Sequence, residues 1–157
     1  MKALWVHDAR NPDLFKAICG FVAQAIFGGP NAFAGNTAVG VFDNGRMVAG
    51  VVMHDYQPRF GTIEMSGASL SARWLSRGLM REIFDYAFDQ MGCQAVVMRC
   101  DPANTRVLRG LRRYGFQRVD VPRLRGRTKA EAVMVLGDDE WAANGYHKEM
   151  RDGRKRT

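Results

Sequence analysis

The tetrapeptide Asp43-Asn44-Gly45-Arg46 lies between two β-rich runs, Thr37 to Phe42 and Met47 to Tyr56. Asn-Gly accepts the positive φ angles of a two-residue hairpin turn, so these runs are expected to pair antiparallel. Pro58 to Gly61 makes another turn, and Thr62 to Leu70 reads as a third antiparallel strand. A three-strand meander therefore occupies the first half of the chain.

Elements of other kinds flank it. Ala3 to His7 alternates weakly, as a first strand. Asn11-Pro12-Asp13 is a helix-start signal, and Leu14, Phe15, Ile18, Val22 and Ile26 form a helical stripe that Gly28-Gly29-Pro30 stops. Residues 28 to 37 are loop. Gly78 to Met91 reads as a helix with Leu79, Ile83, Tyr86 and Ala87 on one face, closed by Gly92. Gln94 to Cys100 is a buried strand, and Asp101-Pro102-Ala103-Asn104 a turn and helix cap. Thr105 to Tyr114 is an arginine-rich helix ended by Gly115. Phe116 to Val121 and Ala130 to Leu136 are the last strands, joined by a basic loop, and Glu140 to Tyr146 is a short final helix. The order predicts one α/β domain with a mixed sheet, whose strand-to-helix junctions at 70 to 78 and 100 to 105 open on one edge.

Composition fits such a domain. A chain of 157 residues, 46% hydrophobic and 25% charged, can bury one full core. No apolar run reaches membrane-span length, and charges at Lys2, Asp8 and Arg10 interrupt the only apolar stretch near the start. Cys19, Cys93 and Cys100 lack metal spacing and read as reduced, mostly buried thiols of a cytoplasmic protein. His7, His54 and His147 are spread along the chain, so no metal site is expected. The formal charge of +7 fits an anionic ligand, nucleic acid or simple solubility. Part of it sits in a basic tail, 147–157, expected to be flexible beyond a domain at 1–146.

Residues 64 to 78 carry the chemistry. A strand with a carboxylate, Glu64, breaks into a basic loop that opens into a helix, with Arg73, Ser76 and Gly78 forming R-x-x-S-x-G at its mouth. A helix start offers unpaired N–H groups and partial positive charge, and two arginines there want an anion. With a glycine allowing close backbone approach, the site suits a diphosphate.

The run Arg73-Trp74-Leu75-Ser76-Arg77-Gly78, with Asn104 followed by Gly115-Phe116, resembles the GNAT superfamily of acetyl-CoA-dependent N-acetyltransferases. That family's cofactor signature is R/Q-x-x-G-x-G/A, and Ser76 here replaces its first Gly. Ile63-Glu64-Met65-Ser66, the stretch Trp74 to Gly78 and the closing Glu140-Trp141 look like a subgroup common in phages, prophages and their hosts. They are also similar to the branch that acetylates ribosomal-protein N-termini. The resemblance implies a mixed, mostly antiparallel central sheet flanked by helices, with acetyl-CoA bound in a splayed gap between central strands. It assigns the diphosphate to backbone N–H groups of Leu75, Ser76, Arg77, Gly78 and Leu79, aided by Arg73 and Arg77. It gives the pantetheine arm to the backbone of Ala68 and Leu70, with Asn104 reaching that arm, and makes Glu64 the general base for an amine acceptor.

Strand period two puts Glu64, Ser66 and Ala68 on one face, which fits that base. Two positions depart from the family: Leu111 replaces its frequent general-acid Tyr and Val107 a Ser of the ribosomal branch, leaving solvent, Thr105 or Tyr114 as acid. The acceptor stays open between small amine, peptide N-terminus and protein lysine. Residues 28 to 36 and 122 to 128 are expected to line its cleft, Arg123, Arg125 and Arg127 hinting at negative charge on it. Asn104 also reads as a helix cap, and Arg106, Arg109 and Arg113 as a solvated face, a contact with cofactor phosphate or a steering field for acyl-CoA. A second reading, motivated by Leu111 and Val107, is an inactive CoA-binding or nucleic-acid-binding module of the same fold, as a phage accessory or virion component. Against nucleic acid, no aromatic residues interleave the arginines. Dimerisation through the late strands is left open.

Overall fold

A computed structural model describes residues 1–144; the tail expected at 147–157 lies outside the described residues, as do 145 and 146. It has an α/β fold with a mostly antiparallel sheet flanked by helices, as the sequence leads one to expect. The described residues form two compact units, Met1–Arg59 with Ile63–Met80, and Phe60–Thr62 with residues 81–144.

In the first unit the strand order is β1 (Lys2–His7), β2 (Thr37–Asp43), β3 (Arg46–Gln57), β4 (Thr62–Ser69). The expected turn joins β2 to β3: Asn44 and Gly45 take φ of 51° and 79°, and Asp43 pairs with Arg46. Helix α1 (Pro12–Phe27) lies on β2 and β3, started by Pro12 and ended by left-handed Gly28, whose N–H bonds the Gln24 carbonyl. Its stripe is the core: Phe15, Ile18 and Val22 pack with Val6, Ala38 and Val52. Each such side chain contributes about 1.5–3 kcal/mol by leaving water. Gly40 and Gly50 permit the close approach, because a Cβ at either would meet Ile18 side-chain atoms at 2.9 and 3.0 Å.

Helix α2 (Arg77–Asp85) starts one residue before the expected Gly78 and continues as a π-helical stretch over Tyr86–Gln90. In the second unit the order is β5 (Ala95–Cys100), β7 (Glu131–Gly137), β6 (Gln117–Val121), with β7 antiparallel to both neighbours. Helices α3 (Thr105–Tyr114) and α4 (Asp138–Ala143) complete it. Phe84 stacks on Tyr114 with ring centroids 4.8 Å apart, and Phe88 on Trp141 at 5.0 Å, an aromatic core worth about 0.5–1.5 kcal/mol per pair beyond area burial.

Cys100, at the end of β5, is a packed thiol. Burial pushes its pKa up to about 11; nearby Glu131 adds to the rise, and Arg125 and Arg118 oppose it. The folded state thus holds a proton that the unfolded thiol, at 9.0, releases, so this residue's contribution to stability is lost as pH climbs from 9 to about 11. At pH 8 the folded thiolate fraction is about 100-fold below that of the unfolded chain. Iodoacetamide should accordingly modify Cys100 far more slowly before unfolding than after it, as read by peptide mass spectrometry.

Candidate active site

Strand β4 alternates as its sequence dictates: Ile63 and Met65 are buried in one direction, while Glu64, Ser66 and Ala68 are half-buried in the other. Glu64 keeps 28% of its side chain exposed and places Oε2 3.5 Å from His54 Nδ1 on β3. The same nitrogen meets Asp55 Oδ2 at 2.5 Å, and the other, Nε2, meets Ser66 Oγ at 2.8 Å. His54 is only 8% exposed. An ionised carboxylate is an acceptor only, so the Nδ1 facing two of them carries the hydrogen. In the neutral ring Nε2 is then a lone pair accepting the Ser66 hydroxyl proton.

The loop between α1 and β2 holds this cluster in place. The Asp55 N–H donates to the Ala34 carbonyl at 2.7 Å, and the Phe33 ring lies 5.1 Å from the imidazole. Gly35 touches the strand beneath: a Cβ there would overlap the Met53 carbonyl oxygen and come within 3.0 Å of His54 Cα. Asp55 itself has a φ of 52°, a left-handed conformation costing about 1–3 kcal/mol for such a residue. That turn swings its carboxylate back onto the ring of the preceding residue.

At the mouth of α2, Ser76 is the N-cap. Its Oγ accepts the Leu79 N–H at 3.1 Å and its carbonyl accepts the Met80 N–H at 2.9 Å. The serine standing where the GNAT signature has glycine thus has a local physical role. Arg73, Ser76, Arg77 and Gly78 are exposed and Leu75 half-buried. Arg77 is the first helical residue and Arg73 lies in the preceding loop, a concentration of positive charge where the helix dipole is already positive. Cations so placed fit a phosphate-bearing ligand. Further along the helix, Arg81 reaches Asp85 Oδ2 at 3.4 Å through Nε, while its buried Nη1 has no hydrogen-bond partner among the described residues.

Several expectations need adjusting. Leu79 N–H is occupied by Ser76, and Leu70 N–H donates to the Val48 carbonyl at 2.7 Å, so neither stands open for a ligand. Leu70 projects a 66% exposed side chain. Asn104, in the second unit, occupies the N-cap position of α3, yet its side chain makes no capping bond; the Asp101 carboxylate accepts the Ala103 N–H instead. Tyr114 is 5% exposed within the aromatic core. Arg106, Arg109 and Arg113 are exposed. Arg125 binds Glu131 at 3.1 Å and lies 3.9 Å from Asp101, neutralising a carboxylate at 131 that is almost wholly buried.

Sequence reasoning missed Asp55 and took His54 as one of three histidines too spread along the chain for a metal site. His54, Asp55 and Glu64 bring one ligand-type atom each within 4.8 Å of one another, which the spread of histidines along the chain conceals. Strands β3 and β4 are neighbours joined by a short turn, so residues shortly before that turn meet residues shortly after it, and that was the available signal.

Among the described residues no helix is long and apolar enough to cross a membrane. No family model matches the chain, and no curated protein does. Solved structures do. A GCN5-related N-acetyltransferase from Brucella melitensis superposes with a TM-score of 0.65 at 17% identity, over 96% of this chain and 80% of that one. A point mutant of spermidine N-acetyltransferase SpeG from Vibrio cholerae gives 0.59 at 13% identity, over 68% of each. A structure from T. thermophilus, whose acetyltransferase assignment is itself provisional, gives 0.59 at 17% identity over 74% of this chain, which spans 65% of it. The chain therefore has the fold of the GCN5-related N-acetyltransferases.

Proposed function

We propose that the protein is an N-acetyltransferase that moves an acetyl group from acetyl-CoA to a primary amine by direct attack. The observation that carries this reading is Glu64, half-buried on β4 beside His54 and Asp55, with an arginine-rich helix mouth following on the same strand's C-terminal side. Arg73 and Arg77 would hold the diphosphate, with the N–H groups at the start of α2. The backbone of Ala68 would run beside the pantetheine arm, as an added strand does. Acetyl-CoA supplies the activated acyl group as substrate.

The carboxylates do the rest. Glu64 and Asp55 attract an ammonium, and Glu64 takes its proton, leaving the amine lone pair free to attack. Phe33 shields the imidazole side from water. Holding amine and thioester together provides most of the rate. Carboxylates paired at the acceptor side favour cationic amines, and a polyamine such as spermidine belongs among the acceptors tried.

Calorimetry with acetyl-CoA, followed by a panel of polyamines, peptide N-termini and lysine peptides, tests the assignment. Saturable binding that Arg73→Ala with Arg77→Ala weakens, and turnover on at least one amine, are expected. No binding at millimolar acetyl-CoA overturns the assignment; tight binding without turnover on any amine leaves a CoA-binding module.

A further inference from the structure

We propose that Ser66 is a nucleophile, activated by His54 and Asp55, that accepts an acyl group and passes it to water. The three side chains make one continuous string: Asp55 Oδ2 to His54 Nδ1 at 2.5 Å, His54 Nε2 to Ser66 Oγ at 2.8 Å. This is the functional order of a carboxylate, an imidazole and a hydroxyl in serine hydrolases, an arrangement defined by geometry and roles rather than by sequence position. The carboxylate fixes the tautomer, the imidazole accepts the hydroxyl proton, and Ser66 is half-buried while His54 is buried.

Two further features suit the role. Asp55 holds a strained left-handed backbone, and that strain aims its carboxylate at the ring. The Phe33–Gly35 segment packs over His54 and locks its position.

The step balances as follows. Ser66 Oγ bonds the thioester carbonyl carbon as its proton moves to His54 Nε2. The carbon–sulfur bond breaks, and the leaving thiolate takes the proton from the imidazolium. Water then attacks the Ser66 ester and gives His54 a proton. The ester C–O bond breaks, Oγ is reprotonated, and a carboxylic acid departs. The products are free thiol and the carboxylic acid, which gives its proton to solvent, with no redox partner needed. This use of a CoA thioester rests on the acetyl-CoA reading above; the activated serine does not.

The experiment uses a fluorophosphonate probe and p-nitrophenyl acetate alongside acetyl-CoA without any amine. Phosphonylation mapped to Ser66 is expected, together with nitrophenol release and slow liberation of free CoA. Ser66→Ala and His54→Asn should each lower all three by at least about 100-fold. Ser66→Cys offers a second variant: its thiol should react with iodoacetamide in a way that His54→Asn suppresses. An unlabelled Ser66 in the wild-type chain, or labelling indifferent to His54→Asn, overturns the inference. A labelled Ser66 in a chain that ignores acetyl-CoA upholds it and discards the acetyl-CoA reading. Amine acetylation with an inert Ser66 does the reverse.

Discussion

Replacing Glu64 by Gln should lower amine acetylation by about 10²–10⁴-fold while acetyl-CoA affinity changes little, the range expected when a general base is removed. The amide keeps the volume and the half-buried position on β4 but cannot take a proton from an ammonium. At the proposed site the acceptor must lose that proton before it attacks, so the loss falls on turnover and not on docking of the thioester. The variant's deficit should shrink as pH rises and free amine becomes abundant in solution, because the base is then needed less. Steady-state kinetics of both proteins across a pH series, with calorimetry for acetyl-CoA, checks this. Equal turnover at every pH removes Glu64 from the role. The neighbours sharpen the test: Asp55 shares His54 Nδ1 with Glu64, and a variant at 64 that kept most activity would point to the Asp55 carboxylate as base.

Gly35→Ala should unsettle the protein more than any substitution of an exposed loop residue ordinarily does. Its Cβ would overlap the Met53 carbonyl oxygen, which is backbone and has no rotamer to yield. Either β3 or the loop must move. Overpacking of this kind costs about 1–3 kcal/mol, and here its upper end is expected. The first structure to go would be the Asp55 N–H bond to Ala34 and the Phe33 cover on His54. Urea unfolding should show a lower midpoint, and any catalysis should fall together with it. A variant as stable and as active as the parent would mean that the loop does not rest on the strand.

Most of the architecture was legible in the chain because its punctuation is local. Asn44-Gly45, Pro12, Gly28, Gly92 and Gly115 each act within a few residues, and the elements they bound match the observed ones to within a residue or two at most ends. The start of α2 moved to Arg77 because Ser76 proved a better cap than the Gly78 reading allowed. The placement of β7 between β5 and β6 was not legible, since strand order depends on long-range pairing that no local signal encodes. At the site, Glu64 and the face it shares with Ser66 followed from strand period. The contribution of β3 did not, because His54 and Asp55 are consecutive and should face opposite ways. The left-handed twist at Asp55 breaks that rule and brings both to one spot, and ordinary propensity gives no reason to expect it.

The Ser76 cap has a bearing on how the empty protein behaves. With its own oxygen already seated on the Leu79 amide, the helix mouth carries an internal surrogate for an incoming anion. The helix is thereby spared a naked dipole end, and the diphosphate proposed above would need only to trade places with a hydroxyl instead of organising a helix. At the proposed site such an exchange would trim the affinity gained from that amide, leave the resting fold intact between encounters, and favour quick release of the spent carrier.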